Sequence, residues 1–420
     1  MTNAPMRQLA KALRQNGLVR FYEYFAEHFA TTHLKDLVVD EVGPNREMVV
    51  EGRPMVNFGF DSFLGLDQHP RVKEALIRGT QKWGTQFGVS RAFASPRVNH
   101  EAEEKIARWL GTESAIMFPS VTLANAGALP GIVGNQDLLV VDEHAHNSIH
   151  EGAKIAKANG VRVVTCGHSN PADLERVLKL NKPYRCAIVA IDGVYSMSGA
   201  IPPMADLNAV CMDYNAVLYI DDAHATGVLG PHGIGTVREA LGNYDNALVV
   251  GCLSKAASCF GAFVGCTAEF QRLLKMRSST YIFGGPVPPP YLEAVCEVID
   301  ILASDEYHLI RARLDRNIMH VTEGMSKLNL AVLGGMTPII SVLVGDEEET
   351  LKAGKFVFDR GYYVQSVVFP AVPYHAGVLR LQVNANHSTS AVNGLLQTFA
   401  ELKKEIALPG PEQLHRQLAA

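Results

Sequence analysis

No stretch of this chain nears the roughly 18 consecutive apolar residues a membrane span needs. Its charge is nearly balanced, 38 Lys and Arg against 43 Asp and Glu for a net of −5, so there is no general pull toward nucleic acid or anionic membrane. The seven cysteines show no CxxC and no regular spacing, which argues against a disulfide framework and for a reducing, cytoplasmic setting. Neither G-x-G-x-x-G nor G-x-x-x-x-G-K-[ST] follows any strand-like run, so the common nucleotide loops are missing. The opening residues, MTNAPMRQLAKALRQNGLVRFYEYFAEHFA, lack the apolar core of a secretory signal and space their apolar residues as a helix does.

What is present describes a globular chain too long for one core: 420 residues, 47% hydrophobic and 19% charged. Short apolar runs alternate with helical patterns over about 105–265: SAIMF (114–118), DLLVVD (137–142), RVVTC (162–166), CAIVAID (186–192), AVLYIDD (216–222) and ALVVG (247–251). The runs are continuous, as strands buried on both faces should be. Between two of them, Asn170 caps, Pro171 opens and Asp173 supports a helix. Repeated strand–helix–strand units predict an α/β fold with a mostly parallel sheet. After PVPPPYLEA (286–294), a long helical pattern over 291–327, the run MTPIISVLVG and the alternating VLRLQVNAN predict a smaller α+β domain. The expected division is an N-terminal arm of helices and short strands (1–60), a large domain (61–305) and a small C-terminal domain (306–420). The alternation in VLRLQVNAN predicts a sheet with one covered face.

Ligands of open α/β sheets sit beyond the carboxyl ends of the strands. There the sequence delivers Ser120, Thr122 and Asn125; Asp142, His144, His146 and His150; Asp192, Tyr195 and Ser196; Asp221, Asp222 and His224; and Ser254 with Lys255. Lys255 stands in GCLSKAASCFGAF, among small apolar residues with no acid closer in sequence than Asp245 and Glu269. Such a lysine either snorkels or does chemistry, and the convergence of an acid, histidines and hydroxyls on one edge favours chemistry. The histidines of HAHNSIH complete no familiar metal set, so no metal is expected.

Eight separated motifs carry a resemblance over roughly residues 50–400: FDSFLGLDQHP, WGTQFGVSR, AHNSIHEG, DGVYSMSGAIPP, DDAHATGVLGPHGIGT, LSK, YIFGGPVPP and VLRLQVNANH. In these the chain resembles the α-oxoamine synthases, fold-type-I enzymes dependent on pyridoxal phosphate. The resemblance implies a role for each matching residue. Lys255 carries the cofactor and moves the substrate's α-proton. Asp221 pairs with the pyridinium nitrogen, His146 stacks on the ring, and His224 and Ser196 hold the phenolic oxygen. Arg380 takes the amino-acid carboxylate, and Asp61 and Arg91 fall among the substrate contacts. Ser120, Val121, Thr122, Cys252, Ser254 and Gly284 mark the phosphate pocket.

The phosphate and substrate pockets depart from the family that the chain resembles. At the phosphate, Ser120-Val121-Thr122 replaces Ser-Gly-aromatic, Cys252 replaces a threonine, and Gly284 replaces a serine or threonine that often reaches the partner subunit's phosphate; near the substrate, Asp61 replaces an asparagine. The implied activity is decarboxylative condensation of a small α-amino acid with an acyl thioester, of coenzyme A or an acyl carrier protein, in a homodimer. Another fold-type-I reaction (transamination or aldol cleavage) and a non-catalytic partner subunit are the alternatives.

Overall fold

A computed structural model of the protein describes residues 5–28, 33–34 and 36–413. The expected arm and small domain therefore extend, at 1–4, 29–32, 35 and 414–420, outside the described residues.

The centre is a seven-stranded sheet: β1 (Ser114–Phe118), β2 (Leu138–Asp142), β3 (Arg162–Cys166), β4 (Ala187–Asp192), β5 (Ala216–Asp221), β6 (Ala247–Cys252) and β7 (Ala262–Cys266). The spatial order is β1-β7-β6-β5-β4-β2-β3, parallel from β6 to β3. The six apolar runs are the first six strands. In β2, Leu138 and Val140 enter one apolar core while Leu139 and Val141 enter the other, which is why the run is continuous. The helix Pro171–Leu180 starts as expected, with the Asn170 side chain accepting from the Asp173 N–H.

β7 is absent from the sequence reading. It pairs antiparallel with both β1 and β6, because the loop Leu253–Gly261 is too short for a helical crossover. Lys255 thus lies in a tight connection clamped between two hydrogen-bonded strands.

The C-terminal part holds an antiparallel sheet of Val332–Leu333, Ile339–Gly345, Gly377–Gln382 and Gln365–Val367, in that order. The pattern over 291–327 is two helices, Pro289–Leu302 and Asp305–Lys327, separated at Ala303-Ser304. One expectation is corrected: the strand Gly377–Gln382 is buried on both faces rather than one. Leu379 and Leu381 enter the main apolar core. Arg380 and Gln382, on the other face, reach the carbonyls of Ser196 and Gly59, so its polar positions face protein, not water.

The short strands of the N-terminal region, Val39–Val42, Glu47–Val50 and Arg53–Asn57, form a sheet completed by Tyr362–Tyr363, parallel to the third. Beside them Phe58 stacks on His387, ring centroids 3.7 Å apart.

Candidate active site

The chemistry-bearing side chains gather at the carboxyl ends of β2, β4, β5 and β6. Lys255 is half-buried, and its Nζ lies 2.9 Å from Nε2 of His224. His224 is buried; burial first, and the lysine charge second, hold its pKa well below the usual imidazole value. A neutral His224 therefore accepts from the Lys255 amine, keeping it at one place on the sheet edge.

Asp221 ends β5 and is buried with both carboxylate oxygens engaged. Oδ2 accepts from the Asn125 amide at 2.7 Å and Oδ1 from the Ala223 N–H at 3.1 Å. Asn125 donates also to Ser148 Oγ at 2.8 Å and accepts from the Tyr219 hydroxyl at 2.9 Å. Tyr219 lies two residues before Asp221, hence on the same face of the strand. Every polar group of this buried cluster has a partner, as low-dielectric surroundings demand.

His146 caps the helix Asn147–Ala158, its Nδ1 accepting from the Ser148 N–H at 3.2 Å. A main-chain N–H only donates, so Nδ1 bears the lone pair and the neutral ring carries its proton on Nε2. Burial lowers the pKa of His146. Its own N–H donates to Asp192 at 2.9 Å. Asp192 faces Asp221 in register on β4, and burial first, then that carboxylate, raise its pKa well above the ordinary range. His144 of the same motif packs instead against His168, ring centroids 4.3 Å apart and planes tilted by 30°.

The expected phosphate pocket is a helix N-terminus. Ser120 caps the helix Val121–Ile132, its Oγ accepting from the Leu123 N–H at 3.2 Å. Ala124 N–H is taken by the Ser120 carbonyl, which leaves the N–H groups of Val121 and Thr122 as the free donors of the first turn. Gly152 lets this helix close on the next, since a Cβ there would stand 2.5 Å from the Asn125 carbonyl oxygen. Thr122 is exposed, and Cys252 is buried with Sγ 3.1 Å from Ser254 Oγ. At Gly284 a Cβ would meet the Thr280 carbonyl oxygen at 2.3 Å, so the backbone as it stands has no room for a hydroxyl-bearing side chain.

Arg380 is buried, with Nε donating to the Ser196 carbonyl at 2.6 Å and Nη1 to Gln365 at 2.7 Å. Its Nη2 lies 3.5 Å from Asp61 Oδ1. Asp61 and Ser254 line one cavity of about 300 Å³. Arg91 turns elsewhere: it is buried in an ion pair with Glu103 at 2.8 Å, donates to the Met117 carbonyl and lies over the Tyr281 ring. The structure thus gathers Lys255, His224, Asp221 and His146, brings Asp61 to Arg380, and spends Arg91 on packing.

Sequence reasoning missed Tyr219, Ser148 and Gln365. Tyr219 carries a signal, a lone hydroxyl two residues before an acid in an otherwise apolar strand. Gln365 carries none.

The family model for aminotransferase class I and II matches residues 53–399. The chain is 34% identical over 362 residues to the 8-amino-7-oxononanoate synthase of Geobacter sulfurreducens, spanning 86% of this chain and 92% of the relative. It is 30% identical over 410 residues to the serine palmitoyltransferase of Bacteriovorax stolpii, spanning 97% and 93%. A solved serine palmitoyltransferase holding pyridoxal phosphate superposes with a TM-score of 0.86 at 25% identity, covering 94% of this chain and 100% of that one.

Proposed function

The chain belongs to the aminotransferase class I and II family, among its α-oxoamine synthases, and from that premise we propose which of its residues perform the reaction. The activity is a pyridoxal-phosphate-dependent condensation of an α-amino acid with an acyl thioester, with loss of CO2. A bond forms between the amino acid's α-carbon and the acyl carbon; the C–S bond and the bond to the carboxylate break, leaving an α-amino ketone, CO2 and free thiol.

The residues present fit the cofactor. A carboxylate fixed by two donors, Asp221, suits a protonated ring nitrogen. The free N–H groups of Val121 and Thr122, with Ser254 and the cap Ser120, suit a phosphate. Ser196 and His224 suit the phenolic oxygen, and a half-buried amine, Lys255, suits the covalent link. Pyridoxal phosphate, when bound, supplies an electron sink for the carbanion at the α-carbon. Lys255 takes the α-proton, with His224 holding the amine in position. His146 covers the reacting face with its Nε2–H tautomer, and Arg380 orients the substrate through its carboxylate. The observation that carries this reading is the Lys255–His224 contact at 2.9 Å beside a fully partnered Asp221.

The homodimer and the cytoplasmic setting are part of the same proposal. Phe93 and Phe283 are 87% and 83% exposed beside the phosphate end, and a partner subunit would cover them. All seven cysteines are free. The division at residues 60 and 305 belongs to the proposal too, with the N-terminal strands through Asn57 paired to Tyr362–Tyr363 of the C-terminal part. Among the described residues no helix is long and apolar enough to cross a membrane. The substrates are a small amino acid and a thioester of coenzyme A or of a carrier protein.

Lys255→Ala tests the reading. The purified variant should lack the visible absorbance of the covalently bound cofactor and should release thiol from acyl thioesters at least about 10³-fold more slowly. Unchanged absorbance and thiol release would refute it.

A further inference from the structure

Arg380, read above as the receptor of the substrate's carboxylate, is a buried cation held mainly by neutral groups. Its Nε donates to the Ser196 carbonyl at 2.6 Å and its Nη1 to Gln365 Oε1 at 2.7 Å. The one carboxylate within ion-pair reach among the described residues, Asp61, stands off at 3.5 Å from Nη2, and its side chain is 30% exposed against 4% for the arginine. A guanidinium has five N–H donors and no acceptor. Ser196, Gln365 and Asp61 engage three of them, which leaves two for an incoming carboxylate. Arg46, on the cavity that Asp61 lines, is no comparable receptor, because its guanidinium is committed to Asp67 at 3.2 Å.

The plane of Arg380 is set by a row of polar side chains across three neighbouring strands. Gln365 lies directly opposite Arg380 on one side and Ser341 on the other, so all three share a face of the sheet. Ser341 donates to the Met197 carbonyl at 2.6 Å and so pins the loop whose Ser196 carbonyl receives Nε. An arginine only donates, so the Gln365 atom facing it is the oxygen, and the amide nitrogen then faces the Gly59 carbonyl at 3.0 Å. Gln382 donates from one nitrogen to the same two oxygens, Gly59 at 2.8 Å and Gln365 at 3.3 Å. Its own Oε1 is buried with no partner among the described residues, yet turning the amide over would set that oxygen against two acceptors. Gln365 is therefore held at both ends of its amide. A carboxylate in its place would match the charge of Arg380, whereas an amide fixes the guanidinium and leaves the charge unmatched.

We propose that Gln365 is a positioning residue for the amino acid: it acts through Arg380, fixing the plane of the guanidinium while leaving its charge for the substrate's carboxylate. The proposal rests on the reading of Arg380 given above.

The test titrates cofactor-loaded protein while the cofactor absorbance is followed. The probes are glycine, alanine and serine, and their carboxylate-free counterparts methylamine, ethylamine and ethanolamine. The amines reach the cofactor but bring nothing for Arg380. Gln365→Met, similar in length but without hydrogen bonds, should weaken binding of the recognised amino acid about tenfold and leave binding of the matching amine unchanged. Gln365→Glu keeps an acceptor on Arg380 but adds a charge; it should weaken the amino acid at least as much and again spare the amine. Equal losses for amino acid and amine overturn the proposal, because a role in folding alone moves both together. Amino-acid binding by Gln365→Glu as tight as in the unmodified protein also overturns it. If Gln365→Met loses the cofactor band, Gln365→Glu decides alone, and loss of the band from both overturns the proposal. Arg380→Gln separates the two readings, since it should show the same selectivity against the amino acid. If it does not, or if the unmodified protein's band ignores all three amino acids, the reading of Arg380 falls and takes this one with it. If Arg380→Gln is selective and the Gln365 variants are not, only the present proposal falls.

Discussion

The two ends of the candidate site are built by opposite means. At the ring end, Tyr219, Asn125, Ser148 and Asp221 form a buried chain in which each polar group is partnered within 2.9 Å. At the proposed phosphate end side chains contribute less: Cys252 lies against the Ser254 hydroxyl, Gly284 has no room for a side chain, and Ser120 accepts from its own helix. The main-chain N–H groups of Val121 and Thr122 lead there, with Ser254 and Ser120 beside them. The ring end relies on side-chain identity, the phosphate end on backbone shape, so substitutions should hurt the first far more than the second.

Three measurements sharpen that contrast. Asp221→Asn keeps the size but can accept only one of the two hydrogen bonds from Asn125 and Ala223, and it removes the charge proposed to face the ring nitrogen; thiol release should fall on the order of 10²-fold or more with the cofactor still bound. Asn125→Ala removes the partner of the buried Tyr219 hydroxyl and one partner each of Ser148 and Asp221. Chemical denaturation should show a loss of about 2–3 kcal/mol, and a loss under 0.5 kcal/mol would mean that the ring end is not interlocked as described. The smallest effect belongs to Cys252→Thr, which restores a hydroxyl at the phosphate end. Cofactor retention on dialysis should improve only about two- to threefold; a hundredfold gain would show that the backbone alone is a poor phosphate site.

Much of the ring end was legible in the sequence because strands buried on both faces write themselves as apolar runs, and the first polar residues after each run lie at one sheet edge. That rule puts Asp221, His146 and Lys255 among the candidates at the strand ends, and the family resemblance then singles them out. The strand β7 was not legible, since an antiparallel return after a tight loop looks no different from loop sequence. The alternation around Arg380 was legible as a pattern but not in its orientation, because a polar residue facing another domain is written like one facing water. Asp61 beside Arg380, 319 positions apart, and Arg46 on their cavity depend on tertiary closure that no local period records.

The pairing of Arg53–Asn57 with Tyr362–Tyr363 fixes an order of events during synthesis. The N-terminal hairpin leaves the ribosome early, yet its last neighbour is made some 300 residues later, and an edge strand waiting that long is exposed to wrong partners. The seven-stranded sheet, complete by Cys266, can form meanwhile. Arg46 sits on the hairpin, so the wall of the cavity beside Asp61 and Ser254 is the late step: a nascent chain carries Lys255 in a finished sheet well before it holds a closed pocket.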